Sequence, residues 1–219
     1  MGLRQKAVKG IFWSFVQKWG RAGVTTITFV ILSRLLAPEA FGLVALATAF
    51  TVFIELFLDQ GFGSAIVQRE ELDPEHLDTA FWLNILTSVV LTGGLIAASG
   101  PLAVVFDEPR LGSVLRWLSI TLILSGLSGT QISILQRNLA FKDLAIRSTV
   151  SNMLGGIVGI GMAFAGYGVW SLVGQDVATS LVRAIILWRQ VIGGQGLEYQ
   201  RGITRSSSVL VFLLLATMR

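Results

Sequence analysis

There is no cysteine in these 219 residues and only one histidine, His76. The first absence excludes a disulfide framework, a thiolate nucleophile and any Cys-ligated metal. The second leaves almost nothing for a zinc site or a Ser-His triad. Charge is scarce as well: Asp, Glu, Lys and Arg make up 14% of the chain, against roughly 25% in soluble domains. Four prolines among 24 glycines, with no low-complexity run, argue against collagen and disorder. What is abundant is apolar: 53% of residues are hydrophobic and the mean hydropathy is +0.72. The net charge of +4 comes from basic residues scattered between long apolar runs. That is the pattern of loop charge bordering a membrane rather than of a nucleic-acid surface. The composition predicts an all-α polytopic membrane protein.

Stretches of about 20 mostly apolar residues, the length that crosses a bilayer, fall at 11–36, 40–62, 79–100, 111–135, 146–166 and 169–190. They predict one six-helix transmembrane unit over 1–205. A seventh apolar run, Val209 to Ala216, follows three serines and is too short to cross ~30 Å of hydrocarbon. Residues 206–219 read as the truncated start of a seventh helix, the alternative being an interfacial segment. Lys18 and Arg21 interrupt the first span and no small-residue cleavage site follows, so it is not a cleavable signal peptide. With the N-terminus inside, the inner segments hold Arg4, Lys6, Lys9, Arg69, Arg137, Lys142, Arg147, Arg189, Arg201 and Arg205, and the outer ones only Arg34, Arg110 and Arg116. This asymmetry predicts that both ends of the six-span unit are cytoplasmic.

Polar residues inside the spans fall at helical spacing. Ser14, Lys18, Arg21, Thr25 and Thr28 share one face of span one, and Thr48, Thr51, Glu55 and Asp59 one face of span two. Span six carries Asp176, Ser180 and Arg183 in the same way, with weaker stripes of Asn84 and Ser88 and of Thr121, Ser125 and Ser128 in spans three and four. An ionised side chain at the bilayer centre costs roughly 2.5–3.5 kcal/mol on insertion scales, so these faces should look onto protein or water. For the hydroxyls, helix packing is the simpler reading. For Lys18, Arg21, Glu55, Asp59, Asp176 and Arg183 the choice is between a water-filled transport cavity and structural ion pairs. Gly155 and Gly159 in span five, and Gly20 and Gly23 in span one, predict close helix contacts.

Four segments add a family likeness. Ser33-Arg34-Leu35-Leu36-Ala37-Pro38-Glu39-Ala40-Phe41-Gly42 resembles the R-x-L-x-P-x-x-[FY]-G turn between the first two helices of polysaccharide flippases. The run Leu58-Asp59-Gln60-Gly61-Phe62-Gly63-Ser64-Ala65-Ile66-Val67-Gln68 is similar to their segment closing the second helix. Leu135-Gln136-Arg137-Asn138-Leu139-Ala140-Phe141-Lys142 resembles the loop before the fifth, and Gly166-Tyr167-Gly168-Val169-Trp170-Ser171-Leu172-Val173 the tight turn into the sixth. Over about residues 5–192 the chain thus resembles the oligosaccharide flippase branch (Wzx-like, colanic-acid-exporter-like) of the multidrug/oligosaccharidyl-lipid/polysaccharide exporter superfamily.

The resemblance implies the N-terminal six-helix lobe of a two-lobe, alternating-access transporter in the bacterial cytoplasmic (inner) membrane. The implied cargo is an undecaprenyl-pyrophosphate-linked oligosaccharide, flipped during cell-surface polysaccharide or lipopolysaccharide biosynthesis. The partners expected are that lipid-linked oligosaccharide, membrane lipid, and a C-terminal lobe or a second copy. In this reading Lys18, Arg21 and Arg183 form a cationic patch for the substrate's pyrophosphate-sugar head group. No G-x-x-x-x-G-K-[ST] loop is present, so ATP hydrolysis by this chain cannot drive transport. No cofactor is expected beyond a proton or sodium gradient, with Glu55, Asp59 and Asp176 as candidate coupling carboxylates; the alternative is that they only neutralise the cations. The acidic stretch Gln68 to Asp78 reads as a solvated loop leading into a helix at Asp73-Pro74-Glu75, and no enzyme is expected. A drug/cation antiporter of the same fold and a non-transporting membrane scaffold are the competing functional classes.

Overall fold

Six α-helices joined pairwise by short turns make up residues 3–58, 74–137 and 141–192, the part of the chain that the computed structural model describes. In order these are α1 (Leu3–Leu35), α2 (Pro38–Leu58), α3 (Pro74–Val105), α4 (Pro109–Arg137), α5 (Phe141–Phe164) and α6 (Val169–Ile192). Asp59, the Gly61-Phe62-Gly63 segment, Arg201, Arg205 and the run from Val209 to Ala216 lie outside the described residues. Each predicted span has its helix, but α1 begins at Leu3 rather than 11, and α3 extends at both ends. Hydropathy marks only the apolar middle of a helix, whereas backbone hydrogen bonding continues into polar flanks.

Three of the four prolines open helices, Pro38, Pro74 and Pro109. There the missing N–H is an orphan donor in any case, and the fixed φ already suits the helix. Gly42, the last residue of the segment likened to the turn between the first two helices, lies inside α2. The turn from α5 to α6 closes in a Schellman motif, with Tyr167 N–H on the Met162 carbonyl at 3.1 Å and Gly166 N–H on Ala163 at 3.0 Å. Gly166 sits there at φ 81°, a conformation that costs an L side chain about 1 kcal/mol. Gly166→Ala should therefore lower unfolding stability by about 1 kcal/mol, read as a small loss of thermal midpoint in detergent with the helix content unchanged.

Helix α4 is the centre of the bundle, packing on α3, α6 and α2, while α5 packs on α6 and carries α1 on its other side. The apolar core follows α4: Leu111, Val114, Leu115, Leu118 and Leu122 meet Val44, Ala47 and Leu58 of α2, Leu95 of α3 and Val173 of α6. The rest of the interior inverts the pattern of a soluble protein. Ser88, Ser99, Ser119, Ser151 and Ser171 are fully buried, while Phe53, Val90, Val104 and Phe164 are half or more exposed. Most of the buried hydroxyls donate to their own helix, as Ser88 does to Ile85 at 2.8 Å and Ser151 to Arg147 at 2.7 Å. A self-satisfied serine is small and lets backbones approach, which is what holds helices together in lipid.

The same logic applies to glycine. A Cβ at Gly155 would strike Thr179 and the Gln175 carbonyl of α6, and one at Gly159 would meet Gln175 and the Ser171 carbonyl. The predicted Gly155/Gly159 contact is therefore the α5–α6 seam. Gly20 does approach Thr149, but Gly23 faces open space, so only half of the span-one pair is a helix contact. Among the described residues four segments are long and apolar enough to cross a membrane: Pro38–Leu58, Phe81–Val105, Pro109–Ser133 and Val169–Arg189. In α1 and α5 the polar residues and glycines dilute the apolar runs. The chain is a multi-pass membrane protein whose exposed apolar side chains face hydrocarbon.

Candidate functional site

A cavity of about 230 Å³ opens in the half of the bundle that holds the C-terminal ends of α2, α4 and α6 and the N-terminal ends of α3 and α5. The turns 36–37, 106–108 and 165–168 lie at the opposite end. The cavity is lined by polar residues from five helices, among them Glu55, Asn84, Ser125, Arg147, Ser180 and Arg183. Glu55 is fixed by Ser125, whose Oγ donates to its Oε1 at 3.1 Å. Asn84 reaches Thr130 across the α3–α4 interface at 3.5 Å, with Gly129 giving its amide room.

Of the expected site residues, Glu55 and Arg183 thus meet in one cavity. Asp176 and Arg183 lie within electrostatic reach of each other and of Glu55, and Arg21 lies within reach of Arg183. Lys18, Arg21 and Thr25 are exposed along α1 and do not line the cavity. Their stripe is not uniform, because Thr28 is buried against Gly156 of α5. The stripes of α3 and α4 divide, since Ser88 is seated against Gly126 while Asn84, Ser125 and Ser128 line the cavity. Asp59 lies outside the described residues.

Arg147, counted above as loop charge on the inner side, is instead 3% exposed and lines the cavity. Its Nε donates to the backbone carbonyl of Arg183 at 2.9 Å, tying α5 to α6. Without Arg147 the inner tally falls by one and keeps its sign. The missed signal was the i, i+4 stripe Arg147, Ser151, Gly155 and Gly159, which marks one continuous buried face of α5. Among the described residues no cluster of His, Asp or Glu could hold a metal ion.

Comparison with known proteins gives a consistent set. A family model described as polysaccharide biosynthesis protein matches residues 31–208. The succinoglycan biosynthesis transport protein ExoT of Rhizobium meliloti (strain 1021) is 31% identical over 175 residues, covering 80% of this chain and 35% of that protein. The teichuronic acid biosynthesis protein TuaB of Bacillus subtilis (strain 168) is 27% identical over 69% of this chain and 32% of its own length. The lipopolysaccharide biosynthesis protein WzxC of Escherichia coli (strain K12) is 23% identical over 71% of this chain and 32% of its own length. The chain spans about a third of the length of these relatives. No solved structure matches it.

Proposed function

The chain belongs to the family of polysaccharide biosynthesis proteins, and on that premise we propose that it is the N-terminal lobe, 1–205, of a flippase for lipid-linked oligosaccharides. It is a transport component rather than an enzyme, as the name of the relative ExoT supports. All six helices span the bacterial cytoplasmic membrane with the N-terminus inside. A second lobe, supplied by further chain or by a second copy, faces this one. The observation that carries the proposal is the polar cavity in one half of a bundle whose exposed faces are rich in large apolar side chains. In the N-in orientation that half is cytoplasmic, where an undecaprenyl-pyrophosphate oligosaccharide is presented.

The oligosaccharide head group is too polar to cross ~30 Å of hydrocarbon unaided. A lobe that offers it guanidinium groups and hydroxyls lowers that barrier by replacing water with fixed partners. Lys18, Arg21 and Arg183 recruit the pyrophosphate, Arg21 and Lys18 from the exposed face of α1 and Arg183 from the cavity wall. Rocking of the two lobes then carries the head group to the outer leaflet while the lipid tail stays in the bilayer.

We place gradient coupling on Glu55, Asp59 and Asp176, since carboxylates clustered in a partly dehydrated site exchange protons or sodium more readily than isolated ones. The test is reconstitution in liposomes with a lipid-linked oligosaccharide, the second lobe being present. Wild type should move the saccharide and respond to an imposed pH or sodium gradient, whereas Glu55→Gln with Asp59→Asn should lose the response. Normal gradient dependence in that double variant rules out this pair. No saccharide movement in the wild type rules out the function.

A further inference from the structure

Arg147 is the least exposed cation described in the bundle, and its surroundings are unbalanced. One of its nitrogens, Nε, is held by the Arg183 carbonyl, but Nη2 is buried with no acceptor among the described residues, and so is Arg183 Nε. Both arginines line the same cavity and lie close enough to repel each other. Two like charges with unfilled donors are stable at low dielectric only if an anion stands between or beside them. Among the described residues the lining supplies one carboxylate, Glu55, at 3.1 Å from Ser125. Arg21, Arg147 and Arg183 face Glu55 and Asp176 among the described residues, which leaves one positive charge over beside the two unpartnered donors, Arg147 Nη2 and Arg183 Nε.

We propose that Arg147 and Arg183 form an anion seat in the cavity, held in the unloaded lobe by the carboxylate of Glu55, which a phosphate oxyanion displaces on loading. The seat deepens the flippase reading, on which its physiological cargo rests, but the exchange is a property of this lobe alone. Arginine suits it because the planar fork can keep one N–H on the Arg183 carbonyl while others turn to the oxyanion. Loading therefore leaves the α5–α6 tie intact and releases Glu55 from the arginines, while it keeps the hydrogen bond from Ser125 on α4. Glu55 is then a competitor: it lowers the affinity for the anion it resembles and prevents the empty seat from being left unpaired.

This makes the signs of two substitutions opposite. With the whole chain in phosphatidylcholine nanodiscs and inorganic pyrophosphate as the probe, calorimetric titration should show saturable binding by the wild type. Arg147→Gln should weaken it at least tenfold and Arg147→Lys less. Glu55→Gln, which removes the competitor and keeps the hydrogen bond to Ser125, should tighten it several-fold. A second set of discs containing phosphatidylglycerol separates the sources of the oxyanion. Weaker apparent pyrophosphate binding there means that bulk lipid head groups enter the same seat, and unchanged binding means that the seat is kept for pyrophosphate-bearing lipid; the seat stands in both. Should Arg147→Gln fail to fold, the gain in Glu55→Gln still decides. Unchanged or weaker binding by Glu55→Gln, or no saturable binding by either wild type or Glu55→Gln, overturns the seat. Pyrophosphate binding that depends on Lys18 and Arg21 but not on Arg147 overturns the seat and leaves the flippase reading standing. Binding with both predicted signs but no saccharide movement in liposomes has the reverse meaning.

Discussion

Arg21→Ala is expected to abolish rescue of a strain lacking its own flippase, while the protein reaches the membrane in normal amount. Arg21 is exposed on α1 beside Lys18 and within electrostatic reach of Arg183. Being exposed, it contributes little to folding, and surface substitutions of this kind usually stay within about 0.5 kcal/mol. The contribution we propose for it in head-group recognition is of another size: a hydrogen bond to a charged group is worth about 1.5–3 kcal/mol, or roughly 10- to 150-fold in affinity. Arg21→Lys keeps the charge and loses the paired geometry, so it should rescue partially. Complementation and an immunoblot of the membrane fraction check both halves. Full rescue by Arg21→Ala removes this residue from the site.

The second large effect is on assembly. Gly155→Leu should prevent α5 and α6 from closing, because even a Cβ there runs into Thr179 and comes within 2.9 Å of the Gln175 carbonyl. The threonine could rotate, at the expense of its 2.7 Å bond to that same carbonyl; the carbonyl cannot move unless α6 does. Overpacking costs about 1–3 kcal/mol in ordinary cores, and a leucine wedged against backbone belongs at or above the top of that range. A loss of roughly 6–12 °C in thermal midpoint follows for a chain of this size. Gly161→Leu is the internal control on the same helix: nothing lies within 4 Å of its Cβ position, so it should melt like wild type. Equal midpoints for the two variants show that the seam does not hold the lobe together.

These two predictions also mark where the sequence was and was not informative. Helix number and order were readable because apolar runs of bilayer length are a coarse signal that no local detail disturbs. The Gly155/Gly159 pair was readable because four-residue spacing of small residues has few other uses in a membrane. Gly20 and Gly23 looked similar and behave differently, since spacing alone does not say whether a neighbour stands opposite. Arg147 was misplaced for a related reason. It lies at the edge of an apolar span, where a cation ordinarily belongs to the loop, and only the partner helix α6, with its carbonyl at Arg183, makes burial possible. Thr28 and Ser88 do pack, as the reading of the hydroxyls had it, because a hydroxyl bonded within its own helix or set against a glycine presents little polarity outward.

The short connections have a mechanical consequence. Two residues join α1 to α2, three join α3 to α4 and four join α5 to α6, all at the end away from the cavity. Each pair is therefore riveted at that end. At the cavity end α5 is tied again to α6 by Arg147, and α3 to α4 by Asn84 and Thr130, so that among the described residues the α1–α2 pair is the one with most room to spread. A tilt of only 5° at the rivet displaces the far tip of a helix of this length by ~3 Å, at 1.5 Å of rise per residue. Spin labels near the cavity mouth of α2 and α6 should separate between empty and loaded states by distances of that order. Labels beside those short turns should hardly move, and the leverage lies in connections too short to flex.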